Sequence, residues 1–330
     1  MPTCYPDDAA MPLNSPNTSL LISSCAAKAP LLKAAKAACR KCHPNLHLIA
    51  GDLDPQVIGR YFADDFWHMP STMDEHLDTL IQGCLARNIS IILPTRDSEL
   101  LFWARHATEL REAGIELLTS PATSIERCLD KLAFSQFGEK HQLPFIPSYL
   151  QPDASAIHWV VKERFGAGSR SLGLNLDRQA ALNHAQQLEA PIFQPFIEGL
   201  EISVDAWLDR KHQVKGLVLR RRELVMNGES QITTTFREPT IEQQVQVLLE
   251  QLELSGPVVL QAIIDEQQHL HVIECNPRFG GASTASLAVG LDSFYWSMQE
   301  ALEQDINLYP FTRLPDVTQV RAPQDFYQVI

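Results

Sequence analysis

The sequence predicts an α/β protein in two parts: a parallel, Rossmann-like sheet over the first third, then an α+β region built on two antiparallel sheets. Two observations carry this. Up to about residue 120, short apolar runs alternate one for one with amphipathic helical segments, the pattern of βαβ units. Beyond it the runs come in pairs and alternate with a period of two, which suits antiparallel strands with one wet face. A third observation, a pair of polar side chains ending an otherwise apolar hairpin, points to where the chemistry lies.

In the first part, Leu20-Leu21-Ile22 reads as a buried strand, followed by a small-residue turn and an Ala/Lys-rich helix from about Pro30. Strands follow at 46–50, 89–93 and 115–118, with a helix over 74–87 and another opened by Thr95-Arg96-Asp97-Ser98-Glu99. Ligands of parallel sheets sit beyond the strand C-termini, so Ser23, Asp52 and Thr95 lie on the ligand-facing edge. No G-x-G-x-x-G follows a strand, which argues against a nicotinamide or flavin enzyme of the usual kind.

In the second part, helices over 123–129 and 130–141 lead to paired strands at 159–162 and 172–176, joined by a loop at 166–171. A helix over 178–188, strands at 192–194, 202–208 and 214–219, a helix over 240–253 and a hairpin (258–264 with 270–274) complete the pattern. The chain divides into a tail (1–18), a Rossmann-like domain (19–120), a small lobe (121–195) and a large lobe (196–330).

Length and composition set the bounds. At 330 residues and 45% hydrophobic content the chain supports more than one lobe with a real core. A net charge of -13 argues against broad nucleic-acid or anionic-membrane binding, because phosphates need clustered Lys and Arg. No apolar run reaches the ~18 residues of a membrane helix. Residues 1–18 carry four prolines and no positive charge, so they read as a mobile tail rather than a signal or transit peptide, with Met11 an alternative start. The expected location is the cytoplasm. The expected partners are small molecules, taken by the chain alone or as a homodimer. Seven scattered cysteines suit reduced thiols. Cys39-Arg40-Lys41-Cys42-His43 matches a haem-attachment pattern, but no export signal or second ligand pair accompanies it, and it reads as the end of a helix.

Four segments carry chemistry. Glu274 and Asn276 end the last strand on one face, and Gln261 is the single amide of its apolar partner. A carboxylate leaving a buried strand needs a cation or strong donors. Oxygen ligands suit Mg²⁺, while a hydrogen-bond network or a salt bridge to Arg278 answers the same need, and spacing leaves both open. Lys162 precedes a loop containing Gly166, Gly168 and Ser169, whose backbone N–H groups suit phosphate oxygens, though a solvated hairpin loop has the same look. Gln194-Pro195-Phe196-Ile197-Glu198-Gly199-Leu200-Glu201 links two strands and suits an adenine edge and ribose, or is a plain connector. Arg220-Arg221-Arg222 ends a strand, with Arg220 and Arg222 on one face suited to phosphate or carboxylate, or guarding an exposed edge.

In their order these segments resemble the ATP-grasp superfamily, most closely the ATP-binding modules of the carbamoyl-phosphate synthase large-subunit type. The matching elements are Asp130-Lys131, V-V-K with its glycine loop, Q-P-F-I-E-G-x-E-I-S-V-D, and V-I-E-C-N-P-R-F-G-G at 272–281. The resemblance spans about 120–305, and I-E-x-N-P-R is its specific element. It implies ATP held between two antiparallel-sheet lobes, with one or two Mg²⁺ ions, Mn²⁺ being an alternative. Lys131 and Lys162 would contact phosphates, and Gly168-Ser169 would close over them. Gln194, Pro195, Phe196 and Ile197 would meet adenine, and Glu201 the ribose. Gln261, Glu274 and Asn276 would hold metal, with Arg278, Lys162, Arg220 and Arg222 as catalytic groups. The implied reaction is phosphorylation of a carboxylate and attack by an amine, with ADP and phosphate released, on amino-acid-like substrates. A carboxylate kinase passing an acyl phosphate to a partner and a non-catalytic ATP-binding regulator are the alternatives. Many relatives have Lys-Pro where this chain has Lys162-Glu163, so a different loop hinge is expected. One module in this length argues against carbamoyl-phosphate synthesis. For the acceptor pocket, Ser24, Asp52, Arg96, Arg220, Arg222 and Arg321 are the candidates.

Overall fold

A computed structural model describes residues 18–166, 171–226 and 228–327. The predicted tail lies almost entirely outside these. The elements run in the order β1 (Thr18–Ser23), α1 (Ala29–Cys42), β2 (Leu46–Asp52), β3 (Asp65–His68), α2 (Leu77–Leu85), β4 (Ile89–Pro94), α3 (Asp97–Arg105), α4 (Ala107–Glu112) and β5 (Glu116–Leu117). Then come α5 (Ala122–Leu129), α6 (Lys131–Lys140), β6 (Trp159–Glu163), β7 (Gly173–Leu176), α7 (Arg178–Ala185) and β8 (Pro191–Pro195). The chain continues through β9 (Leu200–Leu208), β10 (Val214–Met226), β11 (Glu229–Phe236), α8 (Pro239–Gln251), β12 (Gly256–Ile264) and β13 (Leu270–Asn276). It closes with α9 (Thr284–Ala288), α10 (Ser293–Ala301) and β14 (Thr318–Val320). Two compact units result: residues 1–94, 105–118 and 294–306, and residues 95–104, 119–293 and 307–330.

The first unit holds a parallel sheet in the order β3-β2-β1-β4-β5. Its central strand β1 is buried from Ser19 to Ser23, the unbroken burial of a strand covered on both faces. Helix α1 has Pro30 in its first turn and carries Arg40 and Lys41 in its last turn, where cations meet the negative end of the helix dipole. Cys39 lies within this unit beside the Met298 thioether at 3.6 Å, and burial pushes its thiol up to about 12. Cys42 accepts from Gln299 Nε2 at 3.2 Å, and the His43 N–H caps the helix on Cys39 O at 2.9 Å. Edge strand β3 has no counterpart in the sequence pattern: its four residues alternate too briefly to register. Asp52, expected at the ligand edge, accepts from the Ala26 and Asp54 N–H groups and so shapes the turns beyond β1 and β2.

The second unit holds two antiparallel sheets, one of six strands in the order β13-β12-β9-β10-β11-β14 and one of three in the order β7-β6-β8. The six-stranded sheet buries one apolar face. Ile202, Val204, Ala206 and Leu208 of β9 join Leu260, Ala262 and Val272 there, under Val245, Leu248 and Leu249 of α8 and Phe134 of α6. The small sheet closes on Trp159, Val161 and Phe193, with Tyr149 and Phe193 meeting the Trp159 ring edge-on at 6.0 and 6.4 Å.

One expectation needs correction. Arg220-Arg221-Arg222 does not end a strand, because β10 runs on to Met226 and pairs with β11 through Arg222↔Thr233. The partner strand is rich in Thr and Ser rather than alternating apolar residues, so no periodic signal marked it. The three-residue β14 likewise owes its strand state to pairing with β11.

Gly138 of α6 faces the stacked rings of Phe145 and Phe134, whose centroids are 4.4 Å apart, and a Cβ there would lie 2.4 Å from Phe145 Cγ. An alanine normally favours a helix interior by about 1 kcal/mol over glycine. Here the sign is reversed: Gly138→Ala is expected to destabilise by ~1–3 kcal/mol through overpacking. A urea midpoint at or above the wild-type value would contradict this packing.

Candidate active site

The face of the six-stranded sheet opposite its apolar core is unusually polar. Strand register assembles it. Glu274 of β13 stands opposite Gln261 of β12, Gln261 opposite Ser203 of β9, Ser203 opposite Arg220 of β10, and Arg220 opposite Thr235 of β11. Period two places Glu201 and Asp205 on that face with Ser203, and Arg222 with Arg220. The three residues predicted from sequence as metal ligands, Gln261, Glu274 and Asn276, are thus brought to one edge. The Asn276 amide nitrogen donates to Glu274 Oε1 at 3.2 Å. Its oxygen accepts from Arg278 Nη2 at 3.4 Å.

Lys162 comes from the small sheet, on the face of β6 opposite Val161. It is only 8% exposed. Burial pushes its amine down to about 8, against the attraction of Glu274; Lys131 adds to the shift and Glu201 opposes it. These partners put Glu274 and Glu201 of the six-stranded sheet within electrostatic reach of the lysine. Asp130 sets the position of Lys131: its carboxylate caps α6 by accepting from the Leu132 and Ala133 N–H groups, and forks with Arg164 at 2.7 and 2.5 Å. Burial alone would raise the Asp130 carboxyl, but Arg164 and the cap bonds hold it below the usual range. Lys131 Nζ then donates to Gly166 O at 2.7 Å, at the entrance of the glycine loop. Gly168 and Ser169 lie outside the described residues. Glu163 accepts from the Glu189 and Ala190 N–H groups at 2.8 and 3.0 Å and ties the loop strand to the turn before β8.

The remaining candidates divide by what they already bind. Gln194 is buried and donates to Ser148 Oγ at 2.9 Å and Ile146 O at 3.4 Å. The Phe196 N–H donates to His158 O at 2.9 Å, while Pro195, Phe196 and Ile197 are half-buried. Arg222 pairs with Glu201 and also donates to Ser230 Oγ and Gly228 O. Arg278 forks with Asp97 at 2.7 and 2.5 Å. Arg220 is closed in: its Nε donates to Asp205 Oδ2 at 2.5 Å, with both side chains below 5% exposure. Ser283 Oγ donates to the other Asp205 oxygen at 2.6 Å, Ser286 donates to Asp205 as well, and Gly280 N donates back to Ser283 Oγ at 2.8 Å.

Sequence reasoning gave Asp205, Asp97, Ser283 and Ser286 no role. Asp205 was legible, since the alternation that placed Glu201 on the wet face places it there too. Ser283 lies in the turn after β13 and Ser286 in the five-residue α9, and neither is long enough to carry a periodic signal. The arrangement as a whole offers a carboxylate and two amides suited to a hard cation, two lysines suited to phosphate oxygens, and a guanidinium just past the end of β13.

A unit of two antiparallel sheets with a buried lysine, in a chain whose other unit holds a parallel sheet, is the ATP-grasp fold. Residues 187–323 match the family model described as ATP-grasp in the biosynthetic pathway with Ter operon, and residues 20–118 match the PylC-like N-terminal domain. The chain thus has the ATP-grasp fold, and over residues 187–323 it matches an ATP-grasp family. Among solved structures it is similar to the biotin carboxylase domain of Hydrogenobacter thermophilus 2-oxoglutarate carboxylase, with TM-score 0.72 and 15% identity over 92% of this chain and 74% of that one. It is similar also to the L-amino acid ligase of Bacillus licheniformis, with TM-score 0.70 and 16% identity over 94% and 81%. A third is N5-carboxyaminoimidazole ribonucleotide synthetase of Thermotoga maritima, with TM-score 0.66 and 15% identity over 91% and 79%. No curated protein matches the chain. Among the described residues no helix is long and apolar enough to cross a membrane.

Two stability measurements test the site. Asp205→Ala leaves the Arg220 charge buried and unpaired, and is expected to cost ~3–5 kcal/mol; a loss below about 1 kcal/mol in denaturant unfolding would remove the pair from its structural role. Lys162 works in the opposite sense. Its amine is charged more readily unfolded than folded, so the penalty is full below pH 8 and fades as pH rises from about 8 to 10.5. Lys162→Met is therefore expected to stabilise the protein by ~1–3 kcal/mol at pH 7. The gain should vanish near pH 10.5, and a gain independent of pH would refute the assignment.

Proposed function

We propose that the protein is an ATP-dependent carboxylate–amine ligase acting on amino-acid-like small molecules in the cytoplasm. The observation that carries this reading is the edge formed by Glu274, Gln261 and Asn276, facing buried Lys162 from the opposite sheet. These groups fit Mg²⁺ bound together with nucleotide phosphates. They supply oxygen donors and a single carboxylate, and no group of three His, Cys, Asp or Glu side chains competes among the described residues. Asn276 must turn its amide oxygen toward Glu274 to join the set, exchanging its bond to Arg278. Mg²⁺ bound there would neutralise charge on the phosphates.

The chain's own residues have distinct parts. Lys131 and Lys162 bind phosphate oxygens, and the Lys162 amine, poised near 8 before nucleotide arrives, regains its full charge beside them. The linker at 194–197 offers its half-buried surface to the adenine, and Glu201 reaches the ribose after releasing Arg222. Arg278, freed from Asp97, steadies the transferring phosphoryl group. A substrate carboxylate oxygen attacks the γ-phosphorus and ADP leaves. The amine then attacks the acyl carbon, phosphate leaves with the C–O bonding pair, and the amine proton passes to solvent. Charge neutralisation and positioning supply most of the rate in such transfers. The likeness to the L-amino acid ligase and the biosynthetic description of the matched family support amino-acid-like substrates and a biosynthetic product.

Incubation with Mg²⁺-ATP and a panel of amino acids is expected to release ADP and phosphate, not AMP, with an amide formed in step. Hydroxylamine in place of the amine should give a hydroxamate. Glu274→Gln is expected to lower kcat by ~10²-fold or more through loss of charge stabilisation. Wild-type turnover in that variant, or AMP as product, would overturn the reading.

A further inference from the structure

Four arginines stand on the polar face or at its margin, and each is paired with a carboxylate of the chain itself. The exposure of that carboxylate separates them. Arg220 and Asp205 are both closed off, so that pair is fixed. Asp97 is 19% exposed beside Arg278, Glu201 is 42% exposed beside Arg222, and Glu229 is 61% exposed beside Arg321. Arg321, a sequence candidate for the acceptor pocket, has no part in the steps proposed above.

Its position is set by the C-terminal strand. The Arg321 N–H donates to Gln231 O at 2.9 Å, and period two puts Gln319 and Arg321 on one side of β14. Gln319 stands in register with Thr233, itself opposite Arg222, and its amide donates to Thr284 Oγ1 at 2.6 Å. The Arg321 guanidinium lies over Gly281, with Nη1 3.3 Å from where a Cβ would stand. Gly281 is three residues past Arg278, so the guanidinium borders the segment that leads away from the reacting end of the site. Among the described residues Arg321 has one ion pair, Nη1 to Glu229 Oε2 at 2.7 Å. A single bond to an exposed carboxylate is weak and readily exchanged. A guanidinium 28% exposed is already largely stripped of water and suits a two-bonded carboxylate.

We propose that Arg321 is a specificity residue that binds a second carboxylate of the acid substrate, with Glu229 holding the guanidinium in place until the substrate displaces it. The substrate class is an acidic amino acid or related dicarboxylate. This rests on the ligase reading above.

The test compares each dicarboxylic acid of the panel with its amide isostere, aspartate with asparagine and glutamate with glutamine, in wild type, Arg321→Gln, Arg321→Lys and Glu229→Gln. In wild type the acid is expected to exceed its isostere in kcat/KM by about 30-fold, the worth of a charge-assisted hydrogen-bond pair. Arg321→Gln should bring that ratio toward one, Arg321→Lys should recover part of it, and Glu229→Gln should lower KM for the acid. An equal fall for acid and isostere in Arg321→Gln, leaving the ratio intact, would make Arg321 merely structural and overturn the proposal. Calorimetric titration of glutamate and aspartate separates this from failure of the ligase reading. Binding that depends on Arg321 with no ADP released would sink the ligase chemistry and keep the site. ADP release without discrimination between acid and isostere would do the reverse.

Discussion

The ion pair between Arg220 and Asp205 is the constraint on which the polar face depends. It sits in the middle of the six-stranded sheet, closed from solvent on both sides, so neither charge survives burial without the other. Asp205 has lone pairs beyond the one that Arg220 uses, and Ser283 and Ser286 fill them. The pair thereby reaches past the sheet and fixes the segment that follows Arg278. Arg220 in turn donates to Thr233 and aligns β11 with β10. A hydrophobic pair of the same volume would pack the sheet equally well, but it would not tie the post-strand segment to a defined place.

Charge along the rest of that face is held in graded reserve. Burial lowers the Lys162 amine to about 8, and Glu274 and Glu201 of the six-stranded sheet oppose that shift. Arg278, Arg222 and Arg321 each rest on a carboxylate of increasing exposure, and so of decreasing hold. In a protein of net charge -13 these paired cations give a local site for anions without making the surface attractive to polyanions at large. The arginines are held in defined rotamers by their partners, which reduces what must be ordered when an anionic ligand takes over.

Much of this was legible because burial and alternation leave a strong trace. The run at 202–208 announced a strand with one wet face, and the same count places Asp205 beside Glu201 and Ser203. Gln261, Glu274 and Asn276 stood out as polar atoms in apolar strands, and register did bring them together. Asp130 was expected inside a helix over 130–141, and its cap bonds to α6 and its fork with Arg164 came only with the structure. What escaped was structure without periodicity: the Thr-rich β11, the short β3 and β14, and the serines after Asn276.

The sequence by itself determined the order of the periodic elements, the division of their strands into a buried and a polar side, and the residue types available for binding. These follow from local spacing, which a side chain cannot alter once its backbone is extended or helical. Tertiary structure alone decided partnership: that Arg220 is spent on Asp205 while Arg222 and Arg321 rest on exposed glutamates, and that Arg278 is held by Asp97 from far along the chain. A guanidinium looks the same in any sequence. Whether it is structural or available depends on how deeply its carboxylate is buried, and that is a property of the packed fold.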